Sequence, residues 1–288
     1  MANEITLTTA NDLTYAAMIM EDSIISALYA NNNLREFARF KSLVGLPSKA
    51  NDFPTTPKLT ASTVAEATDL TNTAFSTGVA TITAGEVGVM VEPTDLLQTS
   101  DIVEQEYYAN ELGKAVAEKW TTDFTALSSG FSVQVGSTTV DLTEAIILDS
   151  ITTLEVADVP APYKVFAHPQ QKRDLVASVG STITPAAAQG TGFREVLNDL
   201  GAAQDGMLGQ LYGVEWRTNT TVPTANAGAD RLGAIVNPDR ALGFVEKWPV
   251  RMELERDASL RATEIVVTSA YGVGEIDDTS GVGILSDA

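Results

Sequence analysis

Cysteine is absent from the 288 residues, so disulfides, thiolate chemistry and cysteine-held zinc are excluded. Histidine occurs once, as His168. Bases are scarce: 18 lysines and arginines stand against 38 acids, a formal charge of −20. That balance argues against gripping nucleic acid by phosphate neutralisation, and it favours solubility. No stretch approaches the roughly 18 consecutive apolar residues of a membrane span. The start, MANEIT, lacks the basic end and apolar centre of a signal peptide, so the chain is expected to stay in the cytoplasm where it is made. There is no Gly-x-Ser-x-Gly elbow and no phosphate loop. Gly272-Val-Gly274 and Gly190-Thr-Gly192 lack the rest of a dinucleotide fingerprint and read as turns. Nothing in this inventory demands an enzyme, a cofactor or a metal.

What the chain does have is a threonine-rich arm running into a long amphipathic helix. Ten threonines fall between Thr55 and Thr83, followed by the alternating run GVATITAGEVGVMVE over residues 78–92. Val87, Val89 and Val91 share one face of a pleated strand, and Gly88 and Met90 the other. The run reads as the return limb of a long hairpin. Pro47, Pro54 and Pro57 keep the outgoing limb extended, and the tip falls near residues 64–73, where Glu66 and Asp69 are the only charges. A hairpin this long with so few large apolar residues needs a surface to lie on, and a second copy of the chain is the expected one.

Residues 11–30 carry a capped helical pattern. Residues 35–49 turn basic, with Arg35, Arg39, Lys41 and Lys49 against Glu36, either a solvated surface or a contact with something acidic. Ser100, Asp101 and Glu104 mark a helix start, and Tyr108, Leu112, Val116, Trp120, Phe124 and Leu127 form one stripe. A helix over residues 100–127 would be roughly 40 Å long. Beyond it lies a compact α/β region. Helices are expected over 142–157 and 169–179, strands over 163–167, 209–217 and 232–236, and a mobile loop over 181–192. Asn237-Pro-Asp-Arg240 reads as a turn, and strands follow around Val250, Met252 and Leu254 and over 264–271.

His168 precedes Pro169 at a helix start and reads as structural or capping, with a hydrolase base as the minor alternative. Glu275, Asp277 and Asp278 do not match a calcium loop and read as a solvated acidic turn. Asn219-Thr-Thr221 matches a glycosylation triplet, which has no meaning without secretion.

The order of these elements resembles the major capsid protein of tailed bacteriophages, the Hong Kong 97-type fold. Residues 46–92 look like its extended E-loop and 93–130 like its spine helix; VNPDRALGF (236–244) and RMELERD (251–257) through SAYGV (269–273) look like its closing strands. The resemblance implies an α+β fold with an N-terminal arm over 1–46, the E-loop over 47–92 and the P-domain helix over 93–130. The A-domain would cover 131–235, the P-domain strands 236–271 and a C-terminal A-domain segment 272–288. It implies a homo-oligomer of hexamers and pentamers, hundreds of copies enclosing double-stranded DNA without reading its sequence, together with a separate scaffolding protein and a portal at one vertex, and with no membrane. An encapsulin-like compartment is the alternative use of the same fold. Cross-linking through Lys49 or Lys58 at the arm's base is not expected. The E-loop tip would lie on a neighbour's P-domain, so Glu66 and Asp69 are expected to meet one or more of Lys114, Lys119, Arg251, Arg256 and Arg261.

Overall fold

A computed structural model describes residues 24–25, 34–56, 58–69, 77–94, 104–182 and 212–287. The predicted helix over 11–30 falls outside them except for Ile24 and Ile25, which are helical, and the caps at Ser100 and Asp101 and most of the 181–192 loop also lie outside. Among the described residues two sheets carry the body. The first has the order β1-β10-β11-β4, from β1 (Arg39–Ser42), β4 (Gly85–Val91), β10 (Leu242–Asp257) and β11 (Ala262–Glu275). The second has the order β5-β12-β9-β6-β7, from β5 (Gln134–Gly136), β6 (Lys164–Ala167), β7 (Glu215–Thr218), β9 (Asp230–Val236) and β12 (Gly281–Asp287), with the short β8 (Thr224–Ala225) beside β9. A separate two-stranded ladder joins β2 (Ala50–Thr55) to β3 (Gly78–Thr83).

The long helix α1 (Glu104–Ala126) lies on the first sheet. Its 23 residues give a rod of about 35 Å at 1.5 Å per residue. Four members of the predicted stripe, Leu112, Val116, Trp120 and Phe124, are buried, and they share a core with Phe244, Val250, Ile265, Val267 and Tyr271 of β10 and β11. Val87, Val89 and Val91 pack against the same core while Met90 stands 56% exposed, so the alternation read from the sequence is real. Its assignment to the arm needs correcting. Only residues 78–83 return along the hairpin; after Ala84 the chain enters β4, which pairs with β11 from Gly85↔Tyr271 to Val91↔Ile265. Alternation fixes which face of a strand is buried but not which strand lies beside it.

The second sheet is covered by α2 (Glu144–Val156) and α3 (Pro169–Thr182), which enclose Ile147, Leu154, Val165, Leu175, Trp216, Ile235 and Ile284. Val165, Phe166 and Ala167 are all buried, as a short unbroken apolar strand requires. The two lobes meet through Phe166, whose ring lies 5.7 Å from Phe124 and 6.4 Å from Phe37. Pro249 sits inside β10 where the register with β11 slips between Trp248 and Arg251, a place where a ladder tolerates a residue without an N–H.

Candidate functional site

The arm starts from a root that has a core of its own, contrary to the expectation that it had little to bury. Phe53 is fully buried and Ile82 nearly so, packed with Leu43 and Val245. They rest on the face of the first sheet opposite α1. Register explains why the strand can lie so close: Gly243 pairs with Gly274 and Val245 with Gly272, so three glycines share that face. A Cβ on Gly243 would come within 2.5 Å of Ile82 Cδ1, one on Gly274 within 3.0 Å of Ile82 Cγ1, and one on Gly272 within 2.4 Å of the Thr83 carbonyl oxygen. The glycines form a trench into which the end of β3 is set. Gly272 and Gly274, read from the sequence as turns, lie within β11 instead. The signal that could have found them is glycine inside a strand pattern, which marks close approach of another backbone.

Lys247 closes the root from the other side. Its ammonium donates to the carbonyls of Leu43 (3.3 Å), Ser48 (3.2 Å) and Leu46, wrapping the 43–49 loop around one charge. Arg39 and Lys41 lie over the Phe53 ring, 5.9 and 4.7 Å from its centroid, and Lys41 Nζ also donates to the Asp52 carbonyl at 3.1 Å. Arg35 reaches the buried Glu246, 3.2 Å away; burial pushes that carboxyl's pKa up while the guanidinium pulls it down, and burial prevails. Beyond the ladder, residues 58–69 are exposed, Leu59 by 55% and Val64 by 42%. Lys58 touches the Asp158 carboxylate on the body, both ends well exposed, a pair of small energetic weight.

The charged residues expected at an interface are placed as follows. Glu66 and Asp69 are exposed on the limb. Lys114 faces Glu111 at 2.7 Å and Lys119 faces Asp123 at 2.5 Å, both on α1, and Arg251 faces Glu253 at 2.8 Å on β10. Arg256 donates to Thr263 Oγ1 at 3.5 Å, and Arg261 is exposed in the β10–β11 turn at φ +52°. Within one copy these five do not gather around the tip acids.

His168 caps α3. Gln170 N donates to His168 Nδ1 at 3.3 Å, and the His168 backbone N–H donates to Gln171 Oε1 at 2.9 Å, the reciprocal pairing of a capping box. Gln171, wholly buried, uses its amide to donate to the Arg231 carbonyl and to Ser286 Oγ at 3.1 and 2.8 Å. Because Nδ1 accepts, the neutral ring carries its proton on Nε2 and has no lone pair left there for a base. Burial, and secondarily Arg231, holds the imidazole pKa below its ordinary 6.5. The cap therefore contributes fully above that value and weakens as pH falls toward the lowered folded pKa, where the unfolded chain binds the proton more readily. His168→Ala is expected to cost about 1 kcal/mol at about pH 7.5. His168→Asn should keep the cap and flatten the loss of melting temperature toward about pH 5.5. Thermal melts of the three proteins at both pH values check this, and equal acid sensitivity in all three would refute it.

The acidic turn near the C-terminus spends its carboxylates internally. Asp277 accepts from Thr279 N, Thr279 Oγ1 and Ser280 Oγ, and Asp278 accepts from Ser132 N at 2.7 Å. Burial first, then Asp278 and Asp277, raises the Glu275 carboxyl pKa. Among the described residues one trio of carboxylates, Glu92, Asp257 and Glu264, has ligand atoms within 4.8 Å of one another. Asp257 is already engaged there by Ser259 and Leu260, which lowers its carboxyl pKa.

No known sequence family matches the chain, and no curated protein matches it. Solved structures do. The capsid structure of the cyanophage P-SCSP1u is similar with 16% identity and a TM-score of 0.60, covering 86% of each chain. A Mycobacterium phage Che8 structure is similar with 17% identity and a TM-score of 0.63, over 86% of this chain and 89% of that one. The acid-stable capsid of Helicobacter pylori bacteriophage KHP30 has 13% identity and a TM-score of 0.67, over 86% and 88%. At such identities the likeness establishes the fold: α+β, of the Hong Kong 97-like kind found in phage capsids.

Proposed function

We propose that this chain is the major capsid protein of a tailed bacteriophage, assembling as hexamers and pentamers into an icosahedral shell around double-stranded DNA. The observation that carries the reading is coverage: the likeness spans 86% of this chain and 86 to 89% of the phage structures above. Physical features agree with it. An arm rigidly rooted and otherwise exposed has its chemistry directed outward, and a chain of charge −20 keeps packaged DNA from adhering to the wall. A separate scaffolding protein and a portal at one vertex are the partners the reading entails, with assembly in the host cytoplasm and a final place in the virion. Contact of Glu66 and Asp69 with a neighbouring copy belongs to the same proposal.

The purified protein, expressed with its scaffold, is expected to sediment as closed particles visible by electron microscopy. Monomers or amorphous aggregates alone would overturn the reading. Shells that hold a cellular enzyme instead of nucleic acid or scaffold would favour an encapsulin-like compartment. A hydrolase built on His168 has no support in the geometry, since the ring's lone pair is committed to the cap.

A further inference from the structure

Three of the five bases considered for the tip, Lys114, Lys119 and Arg251, already face carboxylates of their own chain. The root of the arm is different. Arg39, Lys41 and Lys49 have no carboxylate partner among the described residues; the first two lean on the Phe53 ring. Exposed apolar side chains follow the first two in the 43–49 loop, Val44 by 60% and Leu46 by 51%. Among the described residues β1 is also an outer strand of its sheet, paired there only with β10, and an outer strand presents backbone groups to a further partner.

The limb is the chemical complement of that root. Glu66 and Asp69 are exposed and unpaired among the described residues, Leu59 and Val64 present apolar surface, and residues 58–65 belong to no helix or strand and have no ladder partner among the described residues. We propose that residues 58–69 of one copy dock on residues 39–49 of a neighbouring copy, Glu66 and Asp69 meeting the Arg39, Lys41 and Lys49 cations while Leu59 and Val64 cover Val44 and Leu46. The proposal rests on the shell reading and names the surface that reading leaves open.

Charge decides the geometry of this contact. Tip against tip brings acids together and root against root brings bases together, so contact of either patch with its own copy is disfavoured. Tip against root joins two different patches; made reciprocally it gives a two-fold pair, and made head to tail it closes into a ring when its rotation divides the circle. Nucleic acid is the weaker occupant for the root. Phosphates would satisfy the cations but leave Val44 and Leu46 in water, and the rest of the chain repels them.

The absence of cysteine makes the test clean, because each added thiol is unique. Particles of the Leu46→Cys/Val64→Cys variant, mildly oxidised, should give a ladder of disulfide-linked multimers on a non-reducing gel. Val64→Cys paired with Met90→Cys, also exposed, should remain monomeric. Particles with no ladder, or with the same ladder in both, overturn this contact and leave the shell reading intact. Failure of the parent protein to form particles removes the shell reading and this contact with it. As a second arm, Glu66→Lys/Asp69→Lys and Arg39→Glu/Lys49→Glu should each lower particle yield about tenfold, and their combination should recover most of it. If the Arg39→Glu/Lys49→Glu protein assembles normally but retains less nucleic acid, the root faces the lumen and the proposal is wrong.

Discussion

Gly272→Ala is expected to leave a folded subunit, about 1–3 kcal/mol less stable than the parent, that no longer closes shells. The added methyl group meets the Thr83 carbonyl oxygen at 2.4 Å and its carbon at 2.8 Å, atoms of a backbone with no rotamer to change. Something must move, and the movable part is β3. Among the described residues its ladder is with β2 alone, and it rests on the first sheet through Ile82, whereas β11 is paired on both sides, to β10 and β4. Displacement at the root is magnified along the arm, so the tip misses its target even where the body is intact. Gly85→Ala is the internal control: nothing lies within 4 Å of its Cβ. It should be neutral or gain about 0.4–1 kcal/mol through the unfolded chain, and should assemble as the parent does. Denaturant unfolding and electron microscopy of both variants decide the matter. A Gly272→Ala protein matching the parent in stability and yield would show that β3 is not seated in the trench.

Trp120→Ala is expected to cost about 3–5 kcal/mol, the range for emptying a large buried aromatic site. The indole is 1% exposed and lies 5.2 Å from the Phe244 ring and 5.1 Å from Tyr271. Its Nε1–H donates to Ser269 Oγ at 3.2 Å, so truncation opens a cavity and also takes a donor from a wholly buried hydroxyl, which keeps only its own long bond to the Trp248 carbonyl at 3.4 Å. Neighbouring side chains cannot easily fill the space. Tyr271 is held by donating its hydroxyl to Asp123 at 2.6 Å; burial, and then that bond, raises the phenol pKa well above its usual 10. Against a typical total of about 5–15 kcal/mol, the loss is a large share of the subunit's stability. Trp120→Phe, which restores most of the volume but not the donor, should fall between the two. A melting temperature for Trp120→Ala within error of the parent would contradict the packing described.

The parts of this fold legible in the sequence are those set by local periodicity. Leu112, Val116, Trp120 and Phe124 announce their helix face because a period near four can satisfy only one side of a helix. Val87, Val89 and Val91 likewise announce a half-buried strand, yet nothing in that alternation says that β4 pairs with β11 instead of continuing the arm. Partner choice is a non-local property. The trench was hidden for a related reason: Gly243, Gly272 and Gly274 mean little until register sets them side by side under Ile82 and Thr83. The role of Asn237 was half visible. Its turn was plain from the Asn-Pro-Asp-Arg run, and its carboxamide oxygen does accept from the Asp239 and Arg240 amides, but its bond to the Pro160 carbonyl at 2.6 Å joins distant segments. The charged residues at the tip were legible as charges alone, because Glu66 and Asp69 meet no base among the described residues of one copy.

Phe166 touching both Phe124 and Phe37 makes the two lobes one mechanical piece, since aromatic rings packed to interior density give neither lobe a soft seam against the other. A wall built from such pieces behaves like masonry: internal load passes through each block nearly undeformed and collects at the joints. In the proposed shell, compliance is then set by the arms and edges, and variants that soften its wall should be sought among residues 39–69 rather than in the block.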